Sequence, residues 1–129
     1  MTDQVRAGPP KSHKYRARRT EYAGVVYDSR GEAGYARHLD LLKAAGAIHD
    51  WRRGREWVLL ETPSGKKRDG ITYRPDFELW DAPDRRGFRV VDFKGMVTRE
   101  FRLKAKLWRA VYPTVPLYVV KADGVERRV

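Results

Sequence analysis

Two extended, apolar-rich stretches, Ile71 to Trp80 and Phe88 to Lys94, flank the turn-forming run Asp81-Ala82-Pro83-Asp84-Arg85-Arg86-Gly87. This arrangement constrains the fold more than any other feature of the chain, because it predicts an antiparallel hairpin with a definite register. A turn centred near Asp84 sets Asp76 opposite Asp92. Directly opposed residues share a face, with Cβ atoms about 4.5–5.5 Å apart. Lys94 lies two residues beyond Asp92 and joins the same face. The other face collects Tyr73, Phe77, Leu79, Val91 and Phe93, a coherent core surface. The expectation is a sheet with one packed side and one polar side, the latter holding two carboxylates and a lysine.

The rest of the pattern supplies partners for that hairpin. Val25 to Tyr27 reads as a short strand, and Ser29-Arg30-Gly31-Glu32 as a capping box that starts a helix. That helix is expected to end near Ala45, with Gly46 as its stop. Tyr35, Leu39 and Leu42 share one face of it, and Glu32 lies at the border between that face and solvent. Ile48 to Leu60 reads as extended, and Pro63 to Gly70 as a charged loop. A second helix is expected from Thr98, its N-cap, to Tyr112, with Pro113 as its stop and Leu117 to Lys121 as a last strand. The order helix, three strands, helix, strand gives an α/β fold: an αβββαβ core with a small mixed sheet flanked by helices.

The chain has 129 residues with 28 Lys+Arg against 17 Asp+Glu, a formal net charge of +11. One domain with one core is expected over residues 21–129, preceded by a flexible basic arm at 1–20 that includes Lys14 and Arg16. The absence of cysteine excludes disulfide scaffolds, thiolate zinc sites and a cysteine nucleophile. No apolar run is long enough to span a bilayer and no signal-peptide core opens the chain, so a cytoplasmic protein without a membrane partner is expected. A basic surface on a folded body points to a polyanion, with nucleic acid as the default.

Like charges opposed across a sheet destabilise it, and a divalent cation between them reverses that cost. Mg²⁺ takes oxygen ligands and commonly uses one or two carboxylates plus waters and a substrate phosphate. A lysine beside it can orient the attacking water and stabilise charge on the phosphate. Asp76, Asp92 and Lys94 therefore meet the needs of metal-assisted phosphodiester hydrolysis; the alternative is a surface ion pair between Lys94 and one aspartate. Glu32 is either a helix cap or a third ligand, and the two roles can coexist. On the second helix Phe101, Ala105, Trp108 and Tyr112 form an apolar face widened by Leu103, Leu107 and Val111. Arg99, Arg102, Lys106 and Arg109 form a basic stripe opposite, either solvated or in contact with phosphate. Lys104 projects into the apolar arc and either snorkels outward or points at the carboxylates.

Arg74-Pro75-Asp76 followed by Val91-Asp92-Phe93-Lys94-Gly95 resembles the signature of the PD-(D/E)xK nucleases. With Lys14-Tyr15, Tyr27-Asp28-Ser29, Glu32, Tyr73 to Asp76 and Thr98-x-x-Phe101-x-x-Lys104, most of residues 14–121 is similar to a phage-borne nuclease family related to archaeal-type Holliday junction resolvases. The resemblance implies a restriction-endonuclease-like core and Mg²⁺-dependent nicking of four-way DNA junctions in recombination and repair, with Mn²⁺ able to substitute. It also implies a two-fold symmetric homodimer. Carried over, it makes Glu32, Asp76 and Asp92 the metal ligands and Lys94 the catalytic lysine. It departs at Gly54, where members of the family often carry a Gln.

Overall fold

The structure is a computed structural model that describes residues 18–129. Its strands and helices, in chain order, are β1 (Thr20–Tyr22), β2 (Val25–Tyr27), α1 (Arg30–Ala44), β3 (Asp50–Arg53) and β4 (Trp57–Leu60). After them come β5 (Ile71–Tyr73), β6 (Phe77–Trp80), β7 (Arg89–Phe93), α2 (Arg99–Val111), β8 (Leu117–Val120) and β9 (Glu126–Arg128). Five strands form one mixed sheet in the order β9-β8-β7-β6-β3. β7 and β8 pair in parallel, and the other neighbours pair antiparallel. A parallel pair needs a crossover, and α2 supplies it. Leaving out the separate β4–β5 hairpin, the succession is α1, β3, β6, β7, α2, β8: the expected α/β core.

The central hairpin has the register that its turn implies, with Phe77 opposite Val91, Glu78 opposite Val90 and Leu79 opposite Arg89. The two helices begin where their caps lie. Ser29 Oγ accepts from the Glu32 backbone N–H at 3.0 Å, and Thr98 Oγ1 from that of Phe101 at 3.1 Å. At the end of α1, Gly46 has φ +77°, a left-handed conformation that closes the helix at low steric cost.

Both faces of the sheet are covered, so the expected polar face is also a packed one. On one side α1 lays Tyr35, Ala36 and Leu39 against Phe77, Leu79, Val91 and Val120. On the other, α2 lays Phe101, Ala105 and Trp108 against Val90, Leu117 and Val119, with Tyr73 and Leu59 closing the cluster. Alternation along β6 and β7 accounts for the division. Leu103 and Val111 do not widen the buried arc of α2, for they are 56% and 43% exposed.

Three strand boundaries differ from expectation, and each has a local cause. Ile71 to Trp80 is not one strand: Pro75 has no N–H to give a ladder, so β5 ends at Tyr73 and β6 starts at Phe77. Tyr73 thereby leaves the α1 face and pairs with Trp57 in the β4–β5 hairpin, beneath α2. Ile48 to Leu60 likewise divides at Gly54, with β3 in the main sheet and β4 in the hairpin. Thr20 to Tyr22, at the end of the expected arm, pairs with Val25 to Tyr27. Residues 1–17 of that arm, with Lys14 and Arg16, lie outside the described residues. Among the described residues no helix is long and apolar enough to cross a membrane.

Candidate active site

Where β6 begins and β7 ends, Asp76 and Asp92 are locked together by two crossed hydrogen bonds. The Asp76 backbone N–H donates to Asp92 Oδ1 at 2.7 Å, and the Phe93 backbone N–H donates to Asp76 Oδ2 at 2.9 Å. Pro75 breaks the regular ladder at this point, and side-chain carboxylates take its place. Asp92 is buried, and its Oδ2 also accepts a short hydrogen bond from the Tyr73 hydroxyl. Lys94 Nζ stands 3.4 Å from the same oxygen and 4.6 Å from the centre of the Phe101 ring, which it faces as a cation over an aromatic.

Glu32 enters from the first turn of α1. The cap hydrogen bond from its backbone holds, but its carboxylate turns towards Asp76 rather than back to Ser29. Arg53 Nη2, at the end of β3, lies 3.6 Å from Glu32 Oε1, and its guanidinium sits 4.6 Å over the Tyr27 ring. Next to it, Gly54 donates its N–H to the Asp76 carbonyl at 2.9 Å. A Cβ at Gly54 would stand 1.7 Å from the Pro75 carbonyl oxygen, so no side chain fits there. That close approach is the physical reason why this chain cannot carry a Gln at Gly54.

Two adjoining cavities meet at Asp76 and Arg74. One, of about 370 Å³, is lined by Asp28, Glu32, Arg53, Gly54, Arg74, Pro75 and Asp76. The other, of about 300 Å³, holds Asp76, Asp92, Lys94 and Lys104 with Tyr73, Arg74, Thr98, Glu100 and Phe101. Lys104 lines this cavity with the carboxylates, while its Nζ pairs with Glu100 Oε2 at 3.4 Å. Arg99, Arg102, Lys106 and Arg109 are exposed on α2 and line neither cavity.

The electrostatics follow from crowding acids in a half-buried place. Burial pushes the Asp76 carboxyl up to about 8, helped by the charges of Asp92 and Glu32 and opposed by the Phe93 N–H and Lys94. Glu32 is raised by its burial and by Asp28, with Arg53 pulling the other way. The Tyr73 hydroxyl is raised by burial and by the Asp92 charge, which keeps it a donor. Among the described residues no three carboxylates or imidazoles form a ready-made cluster for a metal ion. Asp76 instead stands between the others, with the Glu32 carboxylate close on one side and crossed hydrogen bonds to Asp92 on the other. The donor set still fits a divalent cation in kind: hard oxygens that repel one another and gain by sharing a positive charge.

The DUF1064 family profile, described as protein of unknown function, matches residues 12–125. The chain belongs to DUF1064. That match takes in Glu32, Asp76, Asp92 and Lys94 and both cavities beside them. No curated protein and no solved structure matches this DUF1064 chain. Arg53, Arg74 and Asp28 belong to the cleft although spacing alone did not single them out. Arg74 and Asp28 lie within the stretches that resemble the nuclease family, Arg74-Pro75-Asp76 and Tyr27-Asp28-Ser29, whereas Arg53 carries no signal until β3 is paired with β6.

Proposed function

We propose that this DUF1064 protein is a metal-dependent DNA endonuclease of the PD-(D/E)xK kind, acting as a homodimer that nicks four-way junctions symmetrically. The observation that supports this most is the crossed hydrogen bonding of Asp76 and Asp92 beside Lys94. An acid that served only the scaffold would be neutralised by the chain, as Asp92 is in part, whereas Asp76 stands raised in a cleft with room for a ligand. The net charge of +11 suits a polyanionic substrate.

Glu32, Asp76 and Asp92 would hold a divalent cation, Mg²⁺ or Mn²⁺. Such an ion polarises a phosphoryl oxygen and makes a water nucleophilic at neutral pH. Lys94, steadied by Asp92 and the Phe101 ring, donates to a non-bridging oxygen of the scissile phosphate. It offsets the charge that grows there as the water oxygen bonds to phosphorus and the bond to the 3′ oxygen breaks. The departing 3′ oxygen takes up one proton to become the 3′-hydroxyl, and the water oxygen stays on phosphorus in the 5′-phosphate, whose ionisation releases the other. Tyr73 and the backbone N–H groups of Asp76 and Phe93 keep the two aspartates from turning during the reaction. Lys104 and the exposed basic residues of α2 hold the flanking backbone. Because a junction presents two equivalent strands, a C2 dimer with two sites matches its symmetry.

The test is a nicking assay on a four-way junction and on linear duplex, with and without Mg²⁺. Cutting is expected on the junction with Mg²⁺, and Asp92→Ala and Lys94→Ala should abolish it while binding persists. Normal cutting by both variants would overturn the site. Junction binding without any nicking by the wild type would make the chain a DNA-binding module, and equal cutting of duplex and junction would make it a nuclease of broader substrate range.

A further inference from the structure

The cavity on the Glu32 side of Asp76 contains two arginines that the reaction as described does not use. Arg53 is held from below, with its guanidinium 4.6 Å over Tyr27, and 48% of its side chain is exposed. Its approach to Glu32, at 3.6 Å, is too long for a hydrogen bond, so its donors face the cavity largely unspent. Arg74 is anchored by one nitrogen, Nη1, which donates to the Gly54 carbonyl at 3.1 Å. Gly54 follows Arg53 in the chain and packs against Pro75, which follows Arg74. One close backbone contact therefore brings both guanidinium groups to the same rim.

The charges at that rim need an explanation. A phosphate entering this cavity meets the carboxylates of Asp28, Glu32 and Asp76, and among the described residues that line it only Arg53 and Arg74 oppose them. On the other side of Asp76 the second cavity offers Lys94 and Lys104, with Arg74 shared between the two. A continuous strand laid with one phosphodiester at Asp76 thus finds fixed cations on both sides of it. Arginine suits the first side because its planar fork pairs with phosphate oxygens while its other face stacks on an aromatic ring.

We infer that Arg53 and Arg74 form a phosphate-binding subsite for the phosphodiester next to the one at Asp76, so that the cleft takes an internal position of a DNA strand rather than its end. The inference deepens the nuclease reading and rests on it for the position of the scissile phosphate. The alternative role, in which Arg53 only balances Glu32, makes a different prediction, since loss of Arg53 would then affect the protein alone and leave DNA binding unchanged.

The experiment measures binding of a fluorescent four-way junction by anisotropy across a salt series, in EDTA so that no cutting intervenes. Each phosphate contact contributes about 0.9 to the log–log salt slope on duplex DNA. Arg53→Gln and Arg74→Gln should each lower the slope by roughly that amount and weaken binding about tenfold at moderate salt, while Arg37→Gln, on the exposed side of α1, leaves both unchanged. Unchanged slope and affinity in folded Arg53→Gln and Arg74→Gln would overturn the inference, even if only their melting temperatures moved. Should the Gln variants not fold, Arg53→Lys and Arg74→Lys are read instead. Retained slope with weaker binding supports the fork, and unchanged binding overturns it. A wild type that nicks nothing while Arg53→Gln still loses slope removes the nuclease reading but leaves the phosphate contact. Nicking by the wild type with no change in slope does the reverse.

Discussion

Asp76, just before β6, and Glu78, within it, lie two residues apart, yet the chain treats their charges in opposite ways. Glu78 is fully buried and surrounded by donors: Arg52 Nε at 2.9 Å, the Arg55 backbone N–H at 3.0 Å and Trp57 Nε1 at 3.1 Å. Arg52 Nη2 adds an ion pair at 2.8 Å. A buried carboxylate that is this fully paired is part of the scaffold, and it clamps the β3–β4 corner on which Arg53 and Gly54 sit. Asp76 receives one backbone N–H and has Lys94 nearby, but its burial and then the charges of Asp92 and Glu32 outweigh them and drive its carboxyl up to about 8. One acid has its counter-charge built in, and the other waits for one from outside the protein.

The largest expected effect separates the two by function. Asp76→Asn should lower nicking by about 10²–10³-fold, the scale on which single electrostatic contacts to a transition state act. Glu78→Gln, assayed at a temperature where it stays folded, should keep most of the wild-type rate. Equal loss from both would mean that the cleft responds to any damage to β6, and the comparison would break.

Stability should order them the other way. Removing a buried, paired carboxylate leaves its partners uncompensated, so Glu78→Ala is expected to cost about 3 kcal/mol, the low end of such losses because Arg52 and Arg55 can turn to water. For a chain of this size that lowers the melting temperature by roughly 12 °C. In EDTA at pH 8.5, Asp76→Asn should melt no lower than the wild type. A melting temperature that falls as far for Asp76→Asn as for Glu78→Ala would show that Asp76 is scaffold as well.

Much of this arrangement was legible in the sequence. The turn about Asp84 set the register that brings Asp76 to Asp92, and Ser29 and Thr98 marked both helix starts, because caps and hairpin turns are local chemistry. What stayed hidden depended on neighbours distant in the chain. Glu78 carries no signal of its own until Arg52, Arg55 and Trp57 fold over it. Tyr73 reads as a core residue of the α1 face, since alternation carries no warning that Pro75 will send it to another sheet. Arg53 gains meaning only once Gly54 has packed against Pro75. Periodicity assumed one buried face, and the second face was made by a hairpin whose placement no short motif encodes.

Titration sharpens the contrast further. The folded Asp76 carboxyl is raised to about 8, far above an unfolded aspartate near pH 4, so between those values the folded state holds a proton that the unfolded chain lacks. The stability this proton contributes is fully present below about pH 4 and is lost as pH rises through about 8, with a slope of at most about 1.4 kcal/mol per pH unit for one proton. Glu32, raised for the same reason, adds in the same direction. Metal-free protein should therefore melt lower at pH 8.5 than at pH 6, and Asp76→Asn should flatten that fall. A divalent cation at a hundredfold its dissociation constant should restore about 2.7 kcal/mol at pH 8.5 in the wild type and far less in Asp76→Asn. Thermal melts in EDTA and in Mg²⁺ at the two pH values measure all of this, and a flat wild-type profile would remove the raised carboxyl from the argument.

The smallest expected effect concerns Asp92, which combines both treatments. Like Glu78 it is buried and hydrogen-bonded, through Tyr73 and the Asp76 N–H; like Asp76 it faces the cleft and a lysine. Tyr73→Phe removes one hydroxyl donor without opening a cavity, so the packing against Phe101 and Trp108 persists. The carboxylate left short of a partner costs about 1–2 kcal/mol of stability. If Tyr73 serves only the fold, nicking at saturating DNA should match the wild type once both are folded. If it holds Asp92 in the orientation the reaction needs, the turnover rate should fall by about tenfold while DNA affinity in EDTA stays constant, because nothing that touches the backbone has changed. A fall in affinity with no change in turnover would assign Asp92 to substrate binding and move it to the side of Lys104.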